Sequence, residues 1–402
     1  MLTLLLALLL DETAIRGADI QAHQEVLAAD GFEGREAGSE GGHKAALYIV
    51  GRLKELGLTA HLQPFGPDRA FLEAGGKSYT LGRGVVPYPL SPRGRVAGTL
   101  GSDVVIVDGA PAPSVLAELA AKGAKAVIAV GGRPAPQSAL YPLPVLGVVE
   151  ELGPVLRKAE GPATLEVGLG RVDGPSLKNV YAVVPGSDPE AREYVVVGAH
   201  YDHVGLGHRN GNPGAGSTPG QVHNGADDNA SGASTLLEVA EAVVKAKLPR
   251  TVVLVWFDAE EGGLAGSRAF VADPPLPIAD CRAMINMDMI GRNETEKVVV
   301  GVHKKADGAP VFPRWTSLVG DLEKDLGARW DWKSFDEYIK RSDHWPFMAA
   351  GVPAIFFTGG LHADYHTERD DVEKINVAKQ EAVGRAVYRL AAAAARAPQG
   401  FR

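Results

Sequence analysis

Five short stretches of the chain carry the side chains that bind divalent ions. GAHYDHVG, residues 198–205, brings His200 and Asp202 to the end of an apolar run, and NGADDNASG, residues 224–232, sets Asp227, Asp228 and Asn229 at the mouth of a helix. Glu260 and Glu261 close a second apolar run, TVVLVWF; Asp288 follows a third; His366 lies in YHTERDD. Imidazole and carboxylate are the ligands a zinc-like ion takes. A two-metal hydrolytic site needs a carboxylate that bridges the ions, a His and a further carboxylate for each, a water between them and a base for its proton. His200, Asp228, Glu261, Asp288 and His366 fill the ligand roles, and Glu260 is left over. Neighbouring glutamates on an extended segment point opposite ways, so one can ligate while the other faces another part of the cleft. Asp202 is placed to accept the His200 N–H that a metal leaves free, fixing the tautomer. Asp370, four residues after His366, is placed to do the same there.

Each stretch alone has an everyday structural reading; Asp-Asp-Asn before a helix, for example, is an ordinary N-cap cluster. Their coincidence at successive strand ends is what points to metal. The other histidines read as structural: His23, His43, His61 and His303 as surface or helix residues, and His203, His208, His223, His344 and His362 as loop or pocket-wall groups. Ser231 and Ser267 lack a G-x-S-x-G elbow. The sequence has neither a phosphate loop ending in Gly-Lys-Ser/Thr nor a G-x-G-x-x-G after a strand.

These groups need a scaffold that gathers strand ends. After Leu177, strands expected at 178–185, 194–200, 251–257, 283–288 and 353–358 alternate with helices expected at 230–247, 263–272, 313–326, 343–350 and 377–396. Such alternation predicts an α/β fold, a mostly parallel central sheet with helices on both faces. Sites in such sheets lie outside the carboxyl ends of the strands, where the candidate ligands fall. Residues 205–225, rich in Gly and Asn, read as a surface loop bordering the site. Residues 19–57 read as two helices joined by GFEGREAGSEGG. Ala46, Ile49, Val50, Leu53 and Leu56 recur at helical spacing in the second, and Gly57 is its natural C-cap. Between 65 and 177 the texture changes to short strands (YTLG, VAGTL, DVVIVDG, AVIAVGG, PVLGVV) around one helix, VLAELAAKG. This reads as an inserted β-rich module without clustered metal-binding groups. The expected α/β scaffold is therefore residues 19–64 and 178–402.

With 402 residues, 45% hydrophobic and 22% charged, the chain has the composition of a folded protein with room for two or three domains. Its formal net charge of −8 supplies no basic stripe for a nucleic-acid partner. No apolar run reaches the roughly 18 residues a spanning helix needs. The single Cys281 rules out an intramolecular disulfide framework and reads as a small buried side chain. MLTLLLALLL resembles the apolar part of a secretory signal, though no Lys or Arg precedes it and no small-x-small cleavage site follows. Residues 1–18 are expected to be a signal or a retained apolar segment. The expected location is secreted or periplasmic, with the cytoplasm as the alternative.

HYDHVG, NGADDNASG, FDAEEGGLAGS, NMDMIGR, RSDHWPF and DYHTERDD, in this order, resemble the co-catalytic zinc aminopeptidase family that includes bacterial leucyl aminopeptidase. The resemblance covers most of 19–57 and 178–395. KGAKAVIAV and LPVLGV in the insert resemble a protease-associated domain. The family pattern implies two zinc ions bridged by Asp228, with a cis peptide to Asn229. His200 and Asp288 would complete one ion, Glu261 and His366 the other. Glu260 would be the general base, and Tyr365 would help polarise the scissile carbonyl. HTERDD departs from the commoner His-Thr-Pro pattern, and the 205–225 loop is long.

The resemblance thus implies a metallo-aminopeptidase acting on peptides with a free N-terminus. One alternative is a carboxypeptidase on acidic C-termini, for which Arg292 and Arg341 are the candidate basic groups. A non-catalytic peptide-binding relative is another, opposed by the intact ligand set and Glu260. Glutaminyl cyclase is disfavoured, because a one-metal site would not need the full bridging set.

Overall fold

The computed structural model describes residues 12–65, 69–80, 84–88, 91, 94–131, 141–168, 176–208, 211–326, 329–332 and 334–402. The first 11 residues of the apolar opening segment, and the last residues of the expected strands YTLG and AVIAVGG, lie outside that set.

Helices α1 (Gly17–Leu27) and α2 (Glu40–Glu55) come first, then strand β1 (Ala60–Pro64). Ser39 caps α2 by accepting a hydrogen bond from the Gly42 N–H, and Gly57 ends it with a left-handed φ of 76°. Two separate four-stranded sheets follow. One holds β2 (Arg69–Ala74), β3 (Lys77–Thr80), β5 (Gly94–Thr99) and β9 (Pro162–Gly168). The other holds β4 (Val85–Pro87), β6 (Val104–Asp108), β7 (Ala126–Val130) and β8 (Val145–Val148). Helices α3 (Pro113–Ala121) and α4 (Gly153–Lys158) accompany them. The chain then rejoins β1 through β10 (Lys178–Val184) and continues into β11 (Tyr194–His200). The remaining elements are α5 (Gly232–Ala246), β12 (Thr251–Phe257), α6 (Ala265–Ala272), β13 (Cys281–Met287), β14 (Val299–Val302), α7 (Pro313–Leu326), α8 (His344–Ala349), β15 (Ala354–Thr358) and α9 (Val377–Arg396).

The large sheet has seven strands in the order β1-β10-β12-β11-β13-β15-β14. Its centre, β12-β11-β13-β15, is parallel; β10 pairs antiparallel with β12, β1 antiparallel with β10, and β14 antiparallel with β15. Both faces are covered, which explains why TVVLVWF is apolar throughout rather than alternating. Val252, Leu254 and Trp256 enter a core with Ile20, Leu53, Leu236, Trp315 and Val387, from the α1, α2, α5, α7 and α9 side. Val253, Val255 and Phe257 enter the opposite core with Phe270 of α6 and Phe347 of α8. Burying each large side chain is worth about 1.5–3 kcal/mol. The outcome is an α/β sandwich whose four parallel strands end on one edge, delivering their loops to one place.

Candidate metal centre

His200 is the last residue of β11 and is fully buried. Its Nε2 lies 3.2 Å from Asp288 Oδ1, just past β13, and 3.5 Å from Asp228 Oδ1. Its other ring nitrogen, Nδ1, lies 3.4 Å from Asp202 Oδ1 and 3.2 Å from the Asp202 carbonyl. Asp202 has a further task that the sequence did not suggest. Its two carboxylate oxygens accept hydrogen bonds from the backbone N–H of Glu260 (3.0 Å) and of Glu261 (3.4 Å), so one side chain orients both a histidine and the turn after β12.

On the other side of Asp228, Oδ2 lies 3.1 Å from His366 Nε2, and His366 Nε2 lies 2.9 Å from Glu261 Oε1. His366 adopts a left-handed φ of 55°, a costly conformation for a residue with a side chain and one that concentrates at functional sites. The 205–225 loop braces it: Asn212 N–H donates to the His366 carbonyl at 2.7 Å. The Tyr365 ring stacks on the His366 ring, 3.8 Å between centroids.

Asp228 is held by its backbone. The peptide to Asn229 is cis, and a wide turn over Ala226–Ser231 leads into α5. Asn229 Oδ1 accepts from Gly232 N–H (2.9 Å) and Met289 N–H (3.2 Å), and its Nδ2 donates to the Met287 carbonyl (3.0 Å), stitching the helix mouth to the end of β13. Asp370 differs from expectation. Its Oδ2 accepts from the N–H groups of Asp227 (3.0 Å) and Asp228 (3.1 Å), so it positions Asp228 rather than the ring of His366. Its other oxygen, Oδ1, lies 3.5 Å from Arg292 Nη1, so two backbone donors and a guanidinium address the two acceptor oxygens.

The structure thus brings His200, Asp228 and Asp288 into one potential ion-binding group, and Asp228, Glu261 and His366 into another. His203 belongs to the second, contrary to its reading as a loop or pocket-wall residue. Its Nδ1 lies 3.1 Å from Glu261 Oε1 and 3.9 Å from Asp228 Oδ2. Burial pushes its imidazole down to about 3, so it is neutral. The only signal for it in sequence was its place in the His200 stretch.

The electrostatics call for a cation. Burial and then the charge of Glu261 push Asp228 up to about 6. Burial raises Glu260 well above the carboxylate range, with Glu261 and Asp288 adding to the effect. Burial would raise Glu261 too, but the charge of His366 and hydrogen bonds from His203 and His366 hold it well below. His200 Nε2 and Asp288 Oδ1 face each other without hydrogen-bond partners among the described residues, as donor atoms of a shared ion do. The donor set, imidazole with carboxylate, suits zinc.

Beneath the site lies another residue not anticipated, the fully buried Arg35 from the turn between α1 and α2. Its guanidinium donates to the carbonyls of Leu27 (2.8 Å), Tyr201 (2.9 Å), Asn224 (2.6 Å) and Gly225 (2.9 Å). Asp343, in RSDHWPF, is a further buried acid near the site, pushed up to about 7 by burial.

Beside Asp228, Glu260 and Asp288 a cleft opens, lined by Met289, Tyr338, Arg341, Phe356, Leu361 and Tyr365. Arg292 is not in this lining; it pairs with Asp364 at 2.9 Å and lies 3.5 Å from Asp370.

The chain is 29% identical over 211 residues to a probable leucine aminopeptidase of Arthroderma benhamiae, covering 50% of this chain and 53% of that protein. It spans about half the length of the curated relatives it matches. The solved aminopeptidase from Aneurinibacillus sp. strain AM-1 superposes with a TM-score of 0.57 at 22% identity, covering 97% of this chain and 96% of that one. A zinc aminopeptidase from Bacillus subtilis gives 0.60 at 21% identity, covering 94% of each. These likenesses concern the fold. The sequence model of peptidase family M28 matches residues 179–391, more than half of the chain and the whole span from His200 to His366. This chain belongs to peptidase family M28.

Proposed function

We propose that the chain is a two-zinc aminopeptidase that removes the N-terminal residue of peptides. The observation that carries this reading is the attitude of Asp228, which turns Oδ1 towards His200 and Oδ2 towards His366, as a bridging carboxylate must. His200, Asp228 and Asp288 would hold one ion, and Asp228, Glu261 and His366 the other. When bound, the pair would supply Lewis acidity and lower the pKa of water at the site.

The remaining work belongs to the chain. Glu260 lines the cleft and stands outside both ligand groups. Its carboxylate takes a proton from the attacking water and passes it to the leaving amine. The raised affinity of Glu260 for protons suits this task. Burial, reinforced by the negative charge of Glu261 and Asp228, keeps the Tyr365 phenol protonated, so its O–H can donate to the developing oxyanion. Asp202 and Asp370 hold the ligand-bearing backbone. Met289, Phe356 and Leu361 offer an apolar wall, which fits an apolar N-terminal side chain. Arg292 is engaged by Asp364 and Asp370, which weakens the carboxypeptidase reading; of its two candidate groups only Arg341 lines the cleft.

The test is a screen of the zinc-loaded protein against peptides with free and acetylated N-termini and free and amidated C-termini. The expected outcome is stepwise release from free N-termini, insensitivity to amidation, loss on chelation and recovery with zinc. Release from the C-terminus would replace this reading with the carboxypeptidase. No cleavage by protein carrying two zinc ions would replace it with a binding role.

A further inference from the structure

We propose that His203 is an additional ligand, through Nδ1, to the ion that Glu261 and His366 hold, so that the two metal positions are unequal. The inference rests on the two-ion reading above. Four donor atoms converge on the second position. The separations are 2.9 Å (His366 Nε2 to Glu261 Oε1), 3.1 Å (His366 Nε2 to Asp228 Oδ2), 3.1 Å (His203 Nδ1 to Glu261 Oε1) and 3.9 Å (His203 Nδ1 to Asp228 Oδ2). Atoms each about 2.0–2.1 Å from a tetrahedral zinc lie roughly 3.3–3.4 Å apart, and the four values bracket that spacing.

The direction of the ring also matters. A histidine that merely orients a metal-bound carboxylate addresses the oxygen turned away from the ion. His203 Nδ1 instead meets Oε1, the oxygen that also faces His366 Nε2. Its ring stands edge-on to His366, 5.4 Å between centroids. Nε2 is buried without a hydrogen-bond partner among the described residues, so Nδ1 is the ring nitrogen with polar company.

The chain makes room for this ring. His203 N–H donates to the Arg35 carbonyl at 3.1 Å, which fixes where the side chain starts. Gly225 has φ 55°, and a Cβ there would stand 2.2 Å from the Asp228 carbonyl oxygen and 2.4 Å from His203 Cδ2. Only glycine at 225 leaves both that carbonyl and the imidazole their place. The first position gains no such addition: His200, Asp228 and Asp288 complete its group among the described residues. The second ion should therefore bind first and tightest.

The test is zinc binding by calorimetry, with X-ray absorption to count imidazoles, on the full chain and on its His203→Ala and His203→Asn variants. The expected wild-type result is two sites of unequal affinity and about one and a half imidazoles per zinc averaged over both ions. Both variants should lose more than about 100-fold at the tighter site, beyond the 10- to 100-fold typical of losing an outer partner. Their imidazole count should fall to about one per zinc. Asn can still donate to Glu261, so a tight site retained in His203→Asn but lost in His203→Ala would reduce His203 to a positioning residue and overturn the proposal. A wild-type count of about one imidazole per zinc would overturn it without any variant. Failure of the wild type to bind two ions would instead strike the two-zinc reading itself.

Discussion

Glu260 and Glu261 are adjacent, yet their surroundings drive them to opposite protonation behaviour. Burial and like charge raise Glu260, whereas His366 and His203 hold Glu261 ionised. The proposed roles follow that split, base for the first and ligand for the second. Glu260→Gln should keep both ions and the fold while lowering turnover by about 100- to 10,000-fold. Glu261→Gln should bind one ion weakly and recover part of its activity in excess zinc. Metal content and turnover, with and without added zinc, separate the two; loss of a metal from Glu260→Gln alone would reverse the assignment. Glu260 and Glu261, like His200 and Asp288, were legible in the sequence because each sits where an apolar run stops. Arg35 and His203 were not, because their importance lies in what they meet across the fold. Arg35 reaches carbonyls nearly two hundred residues away, and its own neighbours in sequence are glycine and glutamate.

The loops at the parallel strand ends depend on a few polar side chains for their shape. Arg35 ties the end of α1, the turn after β11 and the approach to Asp228 in a single guanidinium. Burial pulls it down to about 10 while Asp228 and other nearby acids oppose that change, so it stays charged. Replacing it with Met would strand buried carbonyls and leave the acid cluster without its fixed cation. The expected loss is about 3–5 kcal/mol of unfolding free energy, read by denaturant titration of the metal-free protein. A loss below about 1 kcal/mol would show that water satisfies these carbonyls instead. Among the elements themselves, the long strands and helices around the site were readable from periodicity. The edge strands β1 and β14 were not. AHLQP is mixed in polarity and VVGV is only four residues long, so neither offers a pattern distinguishable from loop; pairing with β10 and β15 makes them strands.

For the molecule as a whole, the site draws on segments from residue 200 to residue 366, so an ion held there links parts of the sheet that only the fold brings together. Zinc should therefore stabilise the native state by about 2.7 kcal/mol for each site at a free concentration 100 times its Kd. Thermal unfolding should shift upward with zinc and downward with a chelator, and coincident curves would deny the ions any place in the native fold. The sequence texture sets residues 65–177 apart from the α/β pattern; what it could not convey is that the described part of this stretch builds two sheets that pack on a shared core, with a second core on one of them. No described residue of that stretch enters either ligand group.

The point where that stretch leaves and rejoins the large sheet has its own significance. Pro64 and Lys178 are register partners of the antiparallel pair β1 and β10, and Phe65 N–H continues the ladder to the Leu177 carbonyl at 3.1 Å. In topological terms, about 110 residues occupy the place of a hairpin turn. Closing a loop grows costlier only logarithmically, about 0.6 kcal/mol for each doubling of length. A lineage could therefore acquire, exchange or discard a folded module at this rung while the rest of the sheet kept its register.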